Sequence, residues 1–294
     1  MHLRYHCFAH NDTRSDMDLS TTSLHDFTVV TNECVADGIW RMRLSSTVAP
    51  LIEPGQFVNI AVPGDGSHIL RIPLSFKRAD AEAGTLELLY ATVGEGTRRL
   101  SAMREGDKST LVGPCGNGWR LPQEPGRALL VAGGIGLPPI LAAARMLASE
   151  RVGFDVVIGA RTYAMHVLPD AEEVLGYGQA DGAEYDPDRR VILTTDDGTT
   201  ASGELGRKAY ATDGMSDLMA ERAYSQVYTC GPTIMMASVA HMAAEHGIAC
   251  QASLERMMGC GFGACSCCNV ELVRGGYALC CQDGPVFDAT EVVW

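Results

Sequence analysis

The most constraining feature of this chain is a cysteine string near its C-terminus. Cys260-Gly-Phe-Gly-Ala-Cys265-Ser-Cys-Cys268 is followed thirteen positions later by Cys281. That spacing, C-x4-C-x2-C with a distant fourth cysteine, is the plant-type arrangement for a [2Fe–2S] cluster. Four thiolates must meet two irons, so three come from one tight loop and the fourth from a returning segment. Gly259, Gly261 and Gly263 allow the loop conformations closed to residues with a Cβ, and its backbone N–H groups can then point at the sulfurs. The string offers Cys260, Cys265, Cys268 and Cys281 as metal ligands. The competing reading is a structural zinc site, but zinc usually takes two short Cys pairs. Cys265/Cys268 makes one such pair and Cys280-Cys281 does not make another. Cys267 and Cys280 are left over, and either could replace its neighbour. Seven of the eleven cysteines lie between Cys250 and Cys281.

The rest of the chain divides by pattern. Residues 1–26 hold His2, His6, His10 and His25 among polar residues and lack the apolar core of a signal peptide. They read as a loosely ordered extension, with Met17 an alternative start, and the chain as cytoplasmic, where unmetallated cysteines stay reduced. Residues 27–122 read as a small antiparallel β-barrel. Its strands include Ile39–Leu44, Phe57–Val62 and Thr85–Tyr90, with one helix at Thr97–Met103. Residues 123–248 alternate apolar strands (Ala128–Ala132, Asp155–Gly159, Val191–Thr194, Gln226–Thr229) with helices, as in a parallel sheet covered on both faces. Residues 249–294 read as Gly- and Cys-rich loops with only short strands, as at Asn269–Val273. The fold class is therefore α+β multidomain: barrel, α/β nucleotide domain, small cluster domain. The net charge of -13 argues against nucleic acid or anionic membrane as partner.

In the α/β part, Gly133-Gly134-Ile135-Gly136-Leu137-Pro138-Pro139 joins the first strand to its helix. Glycines let the backbone approach a diphosphate, whose charge the helix N-terminus meets. This is not the G-x-G-x-x-G fingerprint, and a plain tight turn is the alternative. Cys230-Gly231-Pro232 follows a later strand on the same carboxyl edge, where open α/β sheets bind ligands. Cys230 has no His/Asp partner to activate it and reads as a small contact for a nicotinamide ring. Arg161 suits a 2′-phosphate, whereas Asp196 and Asp197 suit the free ribose of NAD or simply close a turn with Gly198.

Two barrel segments remain. Leu70-Arg71-Ile72-Pro73-Leu74-Ser75 reads as a strand end carrying a proline and a hydroxyl. Leu89 to Thr97 runs through glycines to a helix start and offers donors to a phosphate; either could be an ordinary strand end. Together with Pro54-Gly55-Gln56-Phe57, the glycine loop, Cys-Gly-Pro, Glu255 to Cys260 and Cys281 to Phe287, they resemble the ferredoxin reductase superfamily. The resemblance is closest to the electron-transfer subunits of class 1B dihydroorotate dehydrogenases, and it covers residues 27 to 294. It implies FAD on Ile72, Pro73, Leu74, Ser75, Leu89, Tyr90, Ala91, Gly96 and Thr97. It implies NAD at Gly133, Gly134, Gly136, Cys230, Gly231 and Pro232, and the [2Fe–2S] cluster on the four cysteines. Where the family usually places arginine against the flavin diphosphate this chain has Ile72, with Arg71 one place early, and Ala91 replaces a common basic residue. Each lost charge-assisted contact is worth roughly 1.5–3 kcal/mol.

The resemblance implies electron transfer for pyrimidine biosynthesis, with no acid–base chemistry on a substrate in this chain. The implied partner is a catalytic dihydroorotate dehydrogenase subunit, an FMN-binding TIM barrel, in an α2β2 heterotetramer. It would dock near Met258 and Phe262. The alternatives are a reductase subunit serving a ferredoxin, hydrogenase or sulfur-reducing complex, and a zinc-binding interaction protein without activity.

Overall fold

Strand β1 (Ser23–Ala36) turns through Asp37-Gly38 into β2 (Ile39–Ser46), with Gly38 at a φ of 68°. Asp-Gly is the expected chemistry for a two-residue hairpin. Along β2, Ile39, Met42 and Leu44 are buried while Arg43 is exposed, the alternation of a half-buried strand. With β3 (Phe57–Ile60), β4 (Ile72–Asp80), β5 (Thr85–Ala91) and β6 (Lys108–Cys115), these strands close a barrel in the order β1-β2-β5-β4-β3-β6. Helix α1 (Glu95–Ser101) interrupts it. The computed structural model describes residues 22–64, 69–176 and 186–294. The expected N-terminal extension lies outside the described residues except at its end, where Ser23 to Asp26 already pair with β6.

The second unit is built from β7 (Ala128–Gly133), β8 (Phe154–Ala160), β9 (Val191–Thr195), β10 (Gln226–Cys230) and β11 (Ala249–Ser253). Between them run α2 (Leu137–Ser149), α3 (Leu168–Leu175), α4 (Ala211–Glu221) and α5 (Thr233–Glu245). The C-terminal segment adds a hairpin, β12 (Asn269–Glu271) with β13 (Tyr277–Leu279), and then β14 (Val286–Asp288). The main sheet runs β14-β11-β10-β7-β8-β9, parallel except for β14 at the edge. Ala128, Leu130 and Ala132 of β7 face α2 and α3, while Leu129 and Val131 face α4 and α5. Burial on both faces is why β7 reads as an unbroken apolar run and β8 as one broken by Asp155 alone. Among the described residues no helix is long and apolar enough to cross a membrane.

Three expectations need correction. The sheet does not stop before residue 249: β11 pairs with β10 from Gln226↔Ala249 to Cys230↔Ser253, and β14 pairs back on it. Ala-Cys-Gln-Ala-Ser has little strand propensity, so pairing with a buried neighbour supplies what the sequence lacks. The Pro-Leu-Ser segment begins β4 rather than ending a strand; proline is tolerated at a strand's start, where no ladder N–H is needed. Helix α1 starts two residues earlier than expected, at Glu95.

A charged cluster joins the barrel to the nucleotide unit. Lys77 of β4 contacts Asp170 and Glu173 of α3 and, at 3.0 Å, Glu87 of β5. Arg41 of β2 contacts Asp170 and Glu87, and Arg145 of α2 contacts Glu173. Asp170 is completely buried and Lys77 is 5% exposed.

Candidate functional site

The cysteine loop follows β11 with no regular structure. Gly261 and Gly263 have φ of 82° and 83°, the left-handed region. A Cβ on Gly261 would lie 2.6 Å from the Asn59 amide, and one on Gly263 would overlap Gln282. The four predicted thiols fall into two pairs, Cys265 beside Cys260 and Cys281 beside Cys268. Backbone N–H groups point at the sulfurs, Gly263 to Cys281 Sγ at 3.2 Å, Cys281 to Cys268 Sγ at 3.4 Å and Cys260 to Cys265 Sγ at 3.5 Å. The N–H of Cys260, then that of Cys267, lowers the Cys265 thiol to about 7. Burial pushes the Cys281 thiol up. Cys280 is turned into the core, where its thiol donates to the Leu254 carbonyl at 3.3 Å and burial pushes it up to about 12. Cys267 is exposed. Among the described residues no three metal-binding side chains converge on one point. Two thiol pairs with inward N–H donors fit two ligands on each of two irons better than four on one tetrahedral ion.

Against this loop lies a cavity of about 390 Å³, within the range of ligand pockets. Ile72, Pro73, Leu74 and Ser75 at the start of β4, Leu89, Tyr90 and Ala91 at the end of β5, and Thr97 in α1 all line it. Of the residues assigned to FAD only Gly96, buried beside Thr97, is off its wall. The Gly94 N–H donates to Thr97 Oγ1 at 3.1 Å, fixing the start of α1. Arg71 does not reach round to the cavity. Its guanidinium donates to the Thr110 carbonyl and hydroxyl at 3.0 Å each.

The far wall was not foreseen from the sequence. Phe57, Ile135 and Pro138 contribute, as does the whole run Leu254 to Met258 that leads into Cys260. Glu255 is open to the cavity, yet the surrounding walls push its carboxyl above the ordinary range. Arg256 also lines the cavity, and its guanidinium donates to the Glu255 carbonyl at 2.8 Å. The signal for this wall was the position of Glu255-Arg256-Met257-Met258, just before the first ligand. Of the two residues expected at a docking face, Phe262 is exposed and Met258 is buried, while its neighbour Met257 is 78% exposed. A larger, open groove of about 740 Å³ elsewhere on the barrel, near Thr28, Ser45 and Lys108, holds none of the predicted site residues.

At the carboxyl edge of the sheet, Gly134 to Gly136 form a 3-10 turn into α2. Cys230 pairs with Ala132 across adjacent parallel strands, so the two predicted nucleotide loops touch. A Cβ on Gly231 would lie 2.9 Å from the Gly133 carbonyl, and one on Gly136 would overlap the Cys230 carbonyl. Pro232 is exposed at this edge, whereas Cys230 is 2% exposed and burial raises its thiol. A buried, protonated thiol is no nucleophile. At the ends of β8 and β9, Asp197 closes its own turn through Thr199 N and Oγ1 at 2.9 and 2.7 Å. Asp196 beside it is exposed, close to Arg161.

Residues 255–293 match the family model of the iron–sulfur cluster binding domain of dihydroorotate dehydrogenase B. The electron transfer subunit of dihydroorotate dehydrogenase B (NAD(+)) from Desulforamulus reducens is 33% identical over 277 residues, 93% of this chain and 99% of that protein. Its counterpart from Geobacillus thermodenitrificans is 37% identical over 273 residues, 90% and 97% of the two chains. Among solved structures, the NADH-dependent reduced ferredoxin-NADP oxidoreductase superposes with a TM-score of 0.76 at 31% identity, covering 91% of this chain and 89% of that one. A ferredoxin reductase of carbazole 1,9a-dioxygenase, at 20% identity and a TM-score of 0.62, shares the fold. The chain belongs to the family of dihydroorotate dehydrogenase B electron-transfer subunits, built on the ferredoxin reductase fold.

Proposed function

We propose that this chain is the electron-transfer subunit of a dihydroorotate dehydrogenase, carrying electrons from a catalytic partner through a [2Fe–2S] centre and FAD to NAD+. The observation that carries the reading is the course of one segment: Leu254 to Met258 walls the flavin-sized cavity and runs straight into Cys260. When bound, FAD supplies the exchange between a two-electron hydride and single electrons, and the cluster takes and gives one electron at a time. The protein's own work is placement. Ile72 to Ser75, Leu89 to Ala91 and Gly96-Thr97 would hold the flavin. The glycine turn and Gly231-Pro232 would hold the nucleotide, with Cys230 as backbone support beneath them. Cys260, Cys265, Cys268 and Cys281 would hold the irons. Asp196, unlike Asp197, is open to a ribose hydroxyl, which favours NAD over NADP.

The partner is proposed to be an FMN-binding TIM-barrel subunit in an α2β2 assembly, docked over Met257 and Phe262 in the cytoplasm. The reading is tested by mixing the two subunits anaerobically with dihydroorotate and NAD+. NADH should form with both present and with neither alone. A second reading, a reductase subunit for a ferredoxin, is favoured by the 31% identity to the NADH-dependent ferredoxin-NADP oxidoreductase. Reduction of ferredoxin by NADH, with no dihydroorotate-dependent NADH formation, would select it.

A further inference from the structure

In β3, side chains alternate between the barrel interior and the seam with the other units. Val58 and Ile60 fill the barrel, while Phe57 lines the flavin cavity. Asn59 shares the Phe57 face. Asn59 is 0% exposed, and its backbone pairs with Pro73 of the cavity wall. Its side chain makes one hydrogen bond among the described residues, from Nδ2 to the Cys260 carbonyl at 3.2 Å, and Oδ1 has no partner there. A carbonyl only accepts, so the amide must present its nitrogen to Cys260.

A trans peptide points its C=O and its following N–H in opposite directions. By holding the Cys260 carbonyl toward the barrel, Asn59 turns the Gly261 N–H away from the barrel and into the cysteine loop. Gly261 is buried, and its N–H makes no hydrogen bond to a described residue. Buried N–H groups are rarely left without an acceptor. Neighbouring N–H groups of the loop already point at thiol sulfurs. Only glycine fits at position 261, since the Asn59 amide fills the space a side chain would need.

We propose that Asn59 is a positioning residue that raises the reduction potential of the cluster by aiming the Gly261 N–H at its sulfurs. The proposal rests on the [2Fe–2S] reading above. Donors to sulfur stabilise the reduced cluster, which carries one more negative charge, so losing one makes reduction harder.

The test uses the full chain, purified anaerobically as wild type, Asn59→Leu and Asn59→Ser, with iron, sulfide and FAD measured first. Cluster potential is then read by redox titration and the reduced cluster by electron paramagnetic resonance. Both variants should keep iron and FAD. Their reduced-to-oxidised cluster ratio at a fixed potential should fall about tenfold, a shift of about 59 mV for one electron. Their resonance should move while the flavin potential stays put. Iron-loaded variants with the wild-type potential overturn the proposal. Loss of the cluster from both variants with FAD retained makes Asn59 an assembly residue and also overturns it. Wild-type protein without iron would instead refute the underlying cluster reading.

Discussion

Replacing Lys77 by Met tests whether the buried charge cluster locks the barrel to the nucleotide unit. Three cations, Lys77, Arg41 and Arg145, face three carboxylates, Asp170, Glu87 and Glu173. Burial alone would lower the Lys77 pKa, but Asp170, Glu173 and Glu87 outweigh it, and the ammonium stays charged. Methionine keeps the length of the side chain and removes the charge. Breaking a buried pair costs about 3–5 kcal/mol because the abandoned partner stays buried. Here Arg41 remains on Asp170 and Arg145 on Glu173, so we expect about 2–3 kcal/mol, or a fall in Tm of roughly 5–8 °C in the FAD-loaded protein. The double variant Lys77→Met/Asp170→Leu removes one charge of each sign and should recover most of the loss. The acid limb should change too. Burial would raise Glu173, but the Lys77 hydrogen bond and charge, then Arg145, hold its carboxyl below the ordinary range. A depressed carboxyl stabilises the fold above its unfolded pKa and loses that contribution as pH falls through its folded pKa. Lys77→Met should therefore flatten stability against pH at the acid end. A loss under about 1 kcal/mol, or a double variant no better than the single, would refute the lock.

Cys265→Ser should abolish or reshape the visible absorbance of the cluster while FAD stays bound; an unchanged iron-dependent spectrum would remove Cys265 from the ligand set. Thr97→Val takes away the acceptor for the Gly94 N–H and should cost about 1 kcal/mol of helix-start stability together with faster FAD loss on dilution. Full flavin occupancy would count against the Gly96-Thr97 assignment. NADH should be preferred over NADPH in dye reduction, and Asp196→Ala should narrow that preference; a wild-type preference for NADPH would shift the nucleotide site toward Arg161.

Much of the molecule could be read from its residues because local chemistry and global fold agree there. The ligand spacing is local, and Gly261 and Gly263 sit where positive φ is needed. The buried strands β7 and β8 announce themselves by apolar runs, and the Ile72 to Ser75 and Leu89 to Ala91 segments meet on one cavity. What stayed hidden depends on contacts between distant segments. β11 is a strand because β10 lies beside it, not because Ala249 to Ser253 favour one. That Arg71, one place early for a diphosphate, is held by Thr110 39 residues away cannot be read from its neighbours. Asn59 looked like any polar residue in a strand, since its partner Cys260 is 201 residues away in sequence. The pairing of Lys77 with Asp170 is equally non-local, joining β4 to α3.

Chemical analysis of the oxygen-protected protein bears most directly on the central claim. Iron, acid-labile sulfide and FAD should be found near two, two and one per chain, with dihydroorotate bleaching both chromophores only when the catalytic subunit is present. Protein that carries stoichiometric zinc, or neither iron nor sulfide, would contradict it.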